Sequence, residues 1–258
     1  MEGFIDTLSG MSLFQRVIII ALIPAILTTI GAAPALFYRF KTEKYRSIGL
    51  GFSAGIMLVA SFTSLLIPAI EVSSAFLGIL GFVLGLFVVK GLDIVIPHEH
   101  FEKGYEGLSI SGKELKKLWL LALAMIIHNI PEGMAVGAST VYSIEDGLLL
   151  AIAIGLQDMP EGLAVSMPLA SMEKGRVKGF LVGALSGFSE TLAALIPLII
   201  VTYITTALPL LMALAAGAMV YVVIHEIVPD IMNKEHSEEA SIGFFLGFIV
   251  MLFLDSIF

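Results

Sequence analysis

Apolar residues run through this chain in eight long stretches that are separated by short polar connections. A helix that crosses the hydrocarbon core of a bilayer needs roughly 20 apolar residues, and each stretch reaches about that length. The pattern predicts an all-α integral membrane protein with eight transmembrane helices in a single transmembrane domain, residues 1–258. The predicted spans cover about 15–38, 48–70, 75–96, 118–140, 147–170, 178–203, 207–230 and 241–258.

The composition supports a membrane protein and excludes several kinds of site. Hydrophobic residues make up 58% of the 258 positions, charged residues 14%, and the mean hydropathy is +0.99. A soluble domain is about half apolar and a quarter charged. The chain has no cysteine, which excludes a disulfide framework and any thiolate metal site. The first span lacks the basic start and cleavage site of a signal peptide, so we expect it to stay in the bilayer.

Lysine and arginine are distributed unevenly between the two sides of the predicted membrane. With the N-terminus outside, 13 of the 14 basic residues fall on one side, and Arg16 lies opposite. Cytoplasmic loops carry the excess of lysine and arginine, so this distribution places both termini outside a cell membrane. The cytoplasmic set is Arg39, Lys41, Lys44, Arg46, Lys90, Lys103, Lys113, Lys116, Lys117, Lys174, Arg176, Lys178 and Lys234.

One polar motif occurs twice, 29 residues apart, within the fourth and fifth predicted spans. The copies are HNIPEGMAV at 128–136 and QDMPEGLAV at 157–165. Because the two spans run in opposite directions, the copies predict a pseudo-two-fold axis in the membrane plane, a common transporter design. Gly133 and Gly162 predict that the two helices approach each other closely.

The polar residues of these spans reach a common depth. Each lies about ten residues inside its span, which at 1.5 Å per residue is roughly the middle of the bilayer. Polar and ionisable side chains are costly there, so they indicate a functional site. A structural role in hydrogen bonding between helices is the alternative. The predicted layer contains His128, Asn129, Glu132, Gln157, Asp158, Glu161 and Glu190, with Met57 at a similar depth after the small-residue run 51–55.

The spacing within each copy favours two metal ions over one. Glu132 follows Asn129 by three residues and His128 by four, so it neighbours both on the helix surface. Glu161 has the same relation to the first two residues of its own copy, and each glutamate can bridge two ligand sets. Four ionised carboxylates without an intramembrane lysine or arginine would balance two divalent cations. Oxygen ligands with one imidazole suit Zn²⁺, Fe²⁺, Mn²⁺ or Cd²⁺.

A second set of potential ligands lies towards the predicted cytoplasmic side, at the ends of the third and seventh spans. These side chains could pass a metal ion from the midplane to the cytosol. The alternative is a solvated loop with incidental histidines. The set consists of Asp93, His98, Glu99, His100, His225 and Glu226.

These motifs resemble those of the ZIP family of divalent metal transporters, particularly its bacterial members. The resemblance rests on residues 128–133 and 157–162, on Glu190, on residues 225–226 and on PHEH at 97–100. It implies eight helices with both termini outside and alternating access, in which spans 1, 4, 5 and 6 move against spans 2, 3, 7 and 8. Many members carry a histidine at the position of Gln157, which is a weaker, neutral ligand here.

The resemblance also implies a binuclear site and an exit route. One metal position would use His128, Glu132, Gln157, Asp158 and Glu161, with Met57 nearby. The other would use Asn129, Glu132, Asp158, Glu161 and Glu190. The exit route would use His98, His100, His225 and Glu226.

The sequence therefore predicts a transporter, not an enzyme, that imports Zn²⁺ or a similar divalent cation into the cytoplasm. The metal is the substrate, and no further cofactor is expected. The expected partners are metal ions and the lipid bilayer, and no nucleic acid is expected. A homodimer is possible. The alternatives are an intramembrane zinc-dependent hydrolase, a proton-coupled metal exporter and a selective channel. An HExxH pair, which would favour the hydrolase, is absent from the sequence.

Overall fold

The computed structural model of the protein is a bundle of long helices. It describes residues 2–37, 43–95, 98–100, 104–106, 115–170, 175–232 and 235–257. Within these ranges the side chains of residues 2, 43, 93, 98–100, 104–106, 115–125, 168, 169, 230 and 232 lie outside the description. The helices are α1 (Glu2–Ser9), α2 (Leu13–Ala32), α3 (Glu43–Ala60), α4 (Ile67–Glu71), α5 (Ala75–Val95), α6 (Leu115–Tyr142), α7 (Ile144–Ala170), α8 (Arg176–Ala193), α9 (Leu195–Tyr203), α10 (Leu208–Val222), α11 (Val228–Met232) and α12 (Ser237–Ile257).

Seven helical segments of the described chain are long and apolar enough to cross a membrane, and each matches a predicted span. They are Leu13–Leu36, Lys44–Glu71, Ala75–Leu92, Ile144–Met167, Arg176–Tyr203, Thr205–Ile227 and Ser237–Ile257. The fourth predicted span coincides with α6, a helix of 28 residues. The side chains of residues 115–125, at the start of α6, lie outside the description, so the transmembrane character of this helix stays a prediction.

Within the described part of the chain, one small sheet interrupts the helical pattern that the sequence predicts. Strands β1 (His98–His100) and β2 (Gly104–Glu106) form a short antiparallel hairpin between α5 and α6. In its register His98 lies opposite Glu106, and His100 lies opposite Gly104. The all-α prediction therefore missed this element, because two three-residue strands leave no periodic signal.

The helices pack as two groups. The first group consists of α2, α6, α7 and α8, which all contact one another. In the second group α3 packs along α12, α10 packs along α5, and α10 also contacts the chain between α3 and α4. The two groups meet mainly where α3 lies against α7 and where α10 lies against α6.

Glycines allow the closest helix contacts of the first group. A Cβ atom at Gly133 would overlap the carbonyl oxygen of Glu190 on α8, and one at Gly162 would overlap the carbonyl oxygen of Thr28 on α2. The two motif glycines therefore fit α6 against α8 and α7 against α2. They do not bring α6 and α7 towards each other, as the sequence suggested, because they lie on the outer sides of that helix pair.

Among the described residues, the second group contains two π-helical segments, at Ser61–Leu66 and Val223–Ile227. Each joins two α-helices of one apolar segment, α3 to α4 and α10 to α11. A π-helical turn adds a residue to the turn and re-aims the side chains around it, and such turns are frequent at functional sites. The second segment contains His225 and Glu226, so its geometry decides which of the two faces the first group.

Candidate metal centre

Helices α6 and α7 bring the two copies of the motif side by side. A single residue, Ser143, separates the helices, so they run antiparallel. Gly147 packs on Thr140 near the turn, and Gln157 reaches Glu132 farther along the pair. The antiparallel arrangement that the sequence predicted for the copies is present in this hairpin.

Three carboxylates form the centre of the site. One ligand oxygen from each of Glu132, Asp158 and Glu161 lies within 4.8 Å of the other two, and all three side chains are buried. Gln157 lies among them, where its amide nitrogen donates to Glu132 Oε1 at 2.5 Å and to Asp158 Oδ1 at 3.1 Å. The amide N–H groups thus satisfy one oxygen of each acceptor, in the space between the two helices.

Asn129 and Glu190 extend the centre towards α8. The Asn129 amide nitrogen donates to Glu190 Oε1 at 3.0 Å and to the carbonyl oxygen of Ser186 at 2.7 Å. The carboxylates of Glu190 and Asp158 lie close to each other, which joins this pair to the three central carboxylates. The structure therefore brings together the members that the sequence predicted for the second metal position.

His128 faces the opposite end of the cluster. Its Nε2 atom lies 3.0 Å from Glu226 Oε2, and the His128 side chain is 12% exposed. Glu226 belongs to the π-helical segment after α10, so this contact joins the two helix groups. The sequence predicted Glu226 as part of the exit route, near the cytoplasmic end of its span. The structure places it directly against His128.

The remaining predicted residues lie at different distances from the carboxylate cluster. Met57 is fully buried in the core that surrounds the site. His225 is exposed, with its ring centroid 4.8 Å from that of Tyr221, so the structure does not bring it into the cluster. The predictions for Asp93, His98, Glu99 and His100 concern side chains outside the described part of the chain.

Sequence reasoning missed three groups that touch the site. Ser53 on α3 donates its hydroxyl to the carbonyl oxygen of Gln157 at 2.8 Å. Thr28 on α2 contacts Glu190, and the carbonyl oxygen of Ser186 accepts from Asn129. The one available signal was the position of Ser53, which lies four residues before Met57 and so on the same helix face.

Several oxygen atoms of the site have no hydrogen-bond partner within the described part of the chain. A buried polar atom is nearly always paired, because leaving it unpaired costs the full desolvation penalty. Four of the five are carboxylate oxygens, which are the preferred ligands of hard and borderline divalent cations. The donor set therefore fits bound cations. The atoms are Glu132 Oε2, Gln157 Oε1, Asp158 Oδ2, Glu161 Oε1 and Glu190 Oε2.

Comparison with known proteins also indicates a protein that handles metal ions. The family model described as ZIP Zinc transporter matches residues 98–255, which include α6 to α11 and most of α12. The chain belongs to the ZIP family. This membership confirms the resemblance that the two motif copies indicated, including its bacterial character.

Curated relatives of this ZIP chain match it over most of its length. The zinc transporter ZIPB of Bordetella bronchiseptica is 38% identical over 239 residues, covering 89% of this chain and 77% of the relative. The zinc transporter GufA of Myxococcus xanthus is 32% identical over 92% of this chain and 97% of its own. The human zinc transporter ZIP11 is 30% identical over 87% of this chain and 92% of its own length. These relatives are named as transporters rather than enzymes.

Proposed function

We propose that this protein imports Zn²⁺ into the cytoplasm through the carboxylate cluster between α6, α7 and α8. The observation that carries the proposal is the set of buried, unpartnered oxygens on three mutually close carboxylates, in a chain whose relatives are named zinc transporters. Cd²⁺, Fe²⁺ and Mn²⁺ have ligand preferences that overlap with this set, so we expect them to compete.

The proposed site holds two cations. Glu132, Asp158 and Glu161 lie close enough together to share both ions. The first position adds His128 and Gln157, and the second adds Asn129 and Glu190. In each position the amide N–H groups now point at carboxylates. We propose that the amides turn their oxygen atoms inward when metal binds, since an amide oxygen ligates cations and an N–H group does not.

Glu226 is proposed as the first residue of the exit route. Because its carboxylate lies 3.0 Å from His128 Nε2, a cation that leaves His128 meets an acidic ligand at once. His225 and the ligands around β1 are proposed to act farther along. Support for this order comes from the burial of the two neighbouring residues: Glu226 is buried beside the site, and His225 is exposed.

The proposed topology has eight spans with both termini outside, in the cell membrane. α6 supplies the fourth span, and the antiparallel hairpin of α6 and α7 supports the pseudo-two-fold relation of the motif copies. The division into two helix groups supports alternating access, because it coincides with the predicted moving spans 1, 4, 5 and 6. Since the chain has no native cysteine, single cysteines at Glu145 and Glu235 test the orientation with an impermeant maleimide. We expect labelling at position 145 in intact cells and protection at 235.

The decisive experiment is metal flux into proteoliposomes that contain the purified protein. We expect saturable Zn²⁺ uptake in the wild type, a loss of at least about tenfold in Glu132→Ala or Glu161→Ala, and normal uptake in Glu238→Ala. Glu238 is exposed on α12, so it controls for the removal of a carboxylate. Wild-type flux in both Glu132→Ala and Glu161→Ala would refute the proposed function. Outward flux driven by a pH gradient would favour an exporter, non-saturating flux a channel, and metal-dependent lipid or peptide hydrolysis without flux an enzyme.

A further inference from the structure

The metal centre receives a side chain from the opposite helix group that neither the motif nor the proposed ligand sets include. Ser53 lies on α3 and is fully buried. Its hydroxyl donates to the Gln157 carbonyl oxygen at 2.8 Å and is within hydrogen-bonding reach of the Glu161 carboxylate. Both partners lie on α7, in the first helix group.

A serine hydroxyl has one proton to donate, and Ser53 offers it to two acceptors that belong to the same site. Whichever acceptor receives the proton, the bond ties α3 to α7 at the depth of the carboxylates. Two other buried hydroxyls differ in this respect. Ser61 donates to Met57 and Ser166 to Leu163, each within its own helix.

We propose that Ser53 is a positioning residue for zinc transport, which completes the metal site only while α3 lies against α7. The hydroxyl holds the carbonyl oxygen of Gln157 and lies beside the Glu161 carboxylate, so this part of α7 is oriented from the opposite helix group. When the groups shift, the bond is lost and the site weakens. This inference rests on the proposed function, because it assigns a role in binding the transported ion.

Hydrogen bonds that orient metal ligands contribute strongly to affinity, and their loss commonly reduces metal affinity 10–100-fold. Ser53 touches the ligands and is not counted as a ligand itself, so the lower end of this range applies. We expect Ser53→Ala to raise the KM for Zn²⁺ uptake about tenfold and to raise the equilibrium dissociation constant similarly. The kcat should stay within about twofold, since the weakened site also releases the ion more readily.

The experiment compares Zn²⁺ uptake by proteoliposomes with Zn²⁺ binding by the purified protein in detergent. Ser53→Thr keeps the hydroxyl and should restore both KM and binding. Ser166→Ala removes a buried hydroxyl of the same type from α7 and should leave both unchanged. Glu161→Gln should abolish most of the effect of Ser53→Ala on binding, because the two residues act on one ion.

The outcomes separate this inference from the proposed function. A wild type that neither binds nor transports Zn²⁺ overturns the proposed function. A wild type that transports, together with a Ser53→Ala variant of normal KM and normal binding, overturns the positioning role alone. A Ser53→Ala variant that loses thermal stability but binds Zn²⁺ normally also overturns it, because the hydroxyl would then serve the fold and not the site.

Discussion

Replacing Glu132 by Gln should improve the stability of the metal-free protein while it abolishes transport. The substitution keeps the shape of the side chain and removes one charge from the centre of the cluster. Glutamine retains a carbonyl oxygen that can accept the bond which Gln157 now donates to Glu132. The change therefore isolates charge from packing.

The size of the effect follows from the spacing of the carboxylates. One oxygen each of Glu132, Asp158 and Glu161 lies within 4.8 Å of the others. Two unit charges at that distance repel by about 3.5 kcal/mol at an effective dielectric constant of about 20. Relaxation, water entry and partial protonation of the crowded carboxylates reduce this value to roughly half. We expect a gain of about 2 kcal/mol, which corresponds to a rise in Tm of several degrees.

The assay is thermal unfolding of the purified protein with a metal chelator and then with added Zn²⁺. Zn²⁺ should raise the Tm of the wild type, because a ligand that binds the folded state stabilises it. In Glu132→Gln the metal-free Tm should be higher and the Zn²⁺-dependent rise should largely disappear. Glu238→Gln is the control and should change neither value. A lower metal-free Tm in Glu132→Gln, or an undiminished response to Zn²⁺, would refute the reasoning.

Three further outcomes are expected. Gly133→Val should prevent folding, seen as loss of monodisperse protein, because its Cβ would overlap the carbonyl oxygen of Glu190; Gly3→Val, whose Cβ meets no atom within 4 Å, is the control. Asn129→Leu should lower Zn²⁺ stoichiometry from two towards one in equilibrium dialysis, and an unchanged stoichiometry would contradict the second position. Zn²⁺ affinity, measured by calorimetry, should decrease as the pH is lowered from 7.5 to 5.5, because carboxylate and imidazole ligands must be deprotonated to bind. An affinity that does not change with pH would argue against these ligands.

The long helices were predictable because length and hydropathy alone define them. Seven predicted spans agree with the described helices to within a few residues, and the α6–α7 hairpin follows from the short connection at Ser143. The hairpin at β1 and the π-helical turns were not predictable. A three-residue strand has no period, and a π-helical turn depends on how its side chains pack against neighbouring helices.

The site was predictable to the extent that it is local in sequence. The i,i+3 and i,i+4 spacing placed the motif residues on adjoining helix faces. The position of Glu190 within its span predicted that it lies at the same depth as these residues. Ser53 and Glu226 reach the site from helices whose angular position depends on tertiary packing. For Glu226 the π-helical turn is the physical reason, because it turns this residue inward and leaves His225 exposed.

The differences between the two motif copies determine how the site meets its surroundings. At the first position of the motif, His128 turns towards Glu226 in the second helix group, whereas Gln157 turns inward between two carboxylates. At the second position, Asn129 turns towards α8 and leaves Asp158 in the centre. The His128 end of the cluster is therefore in contact with the second helix group, and the Asn129 end makes its contacts within the first group. A cation at the His128 end already has Glu226 of the second group beside it. A cation at the Asn129 end has all of its proposed ligands on the first group. If two ions bind, we expect the ion at the His128 end to be the transported one and the ion at the Asn129 end to hold the carboxylates together.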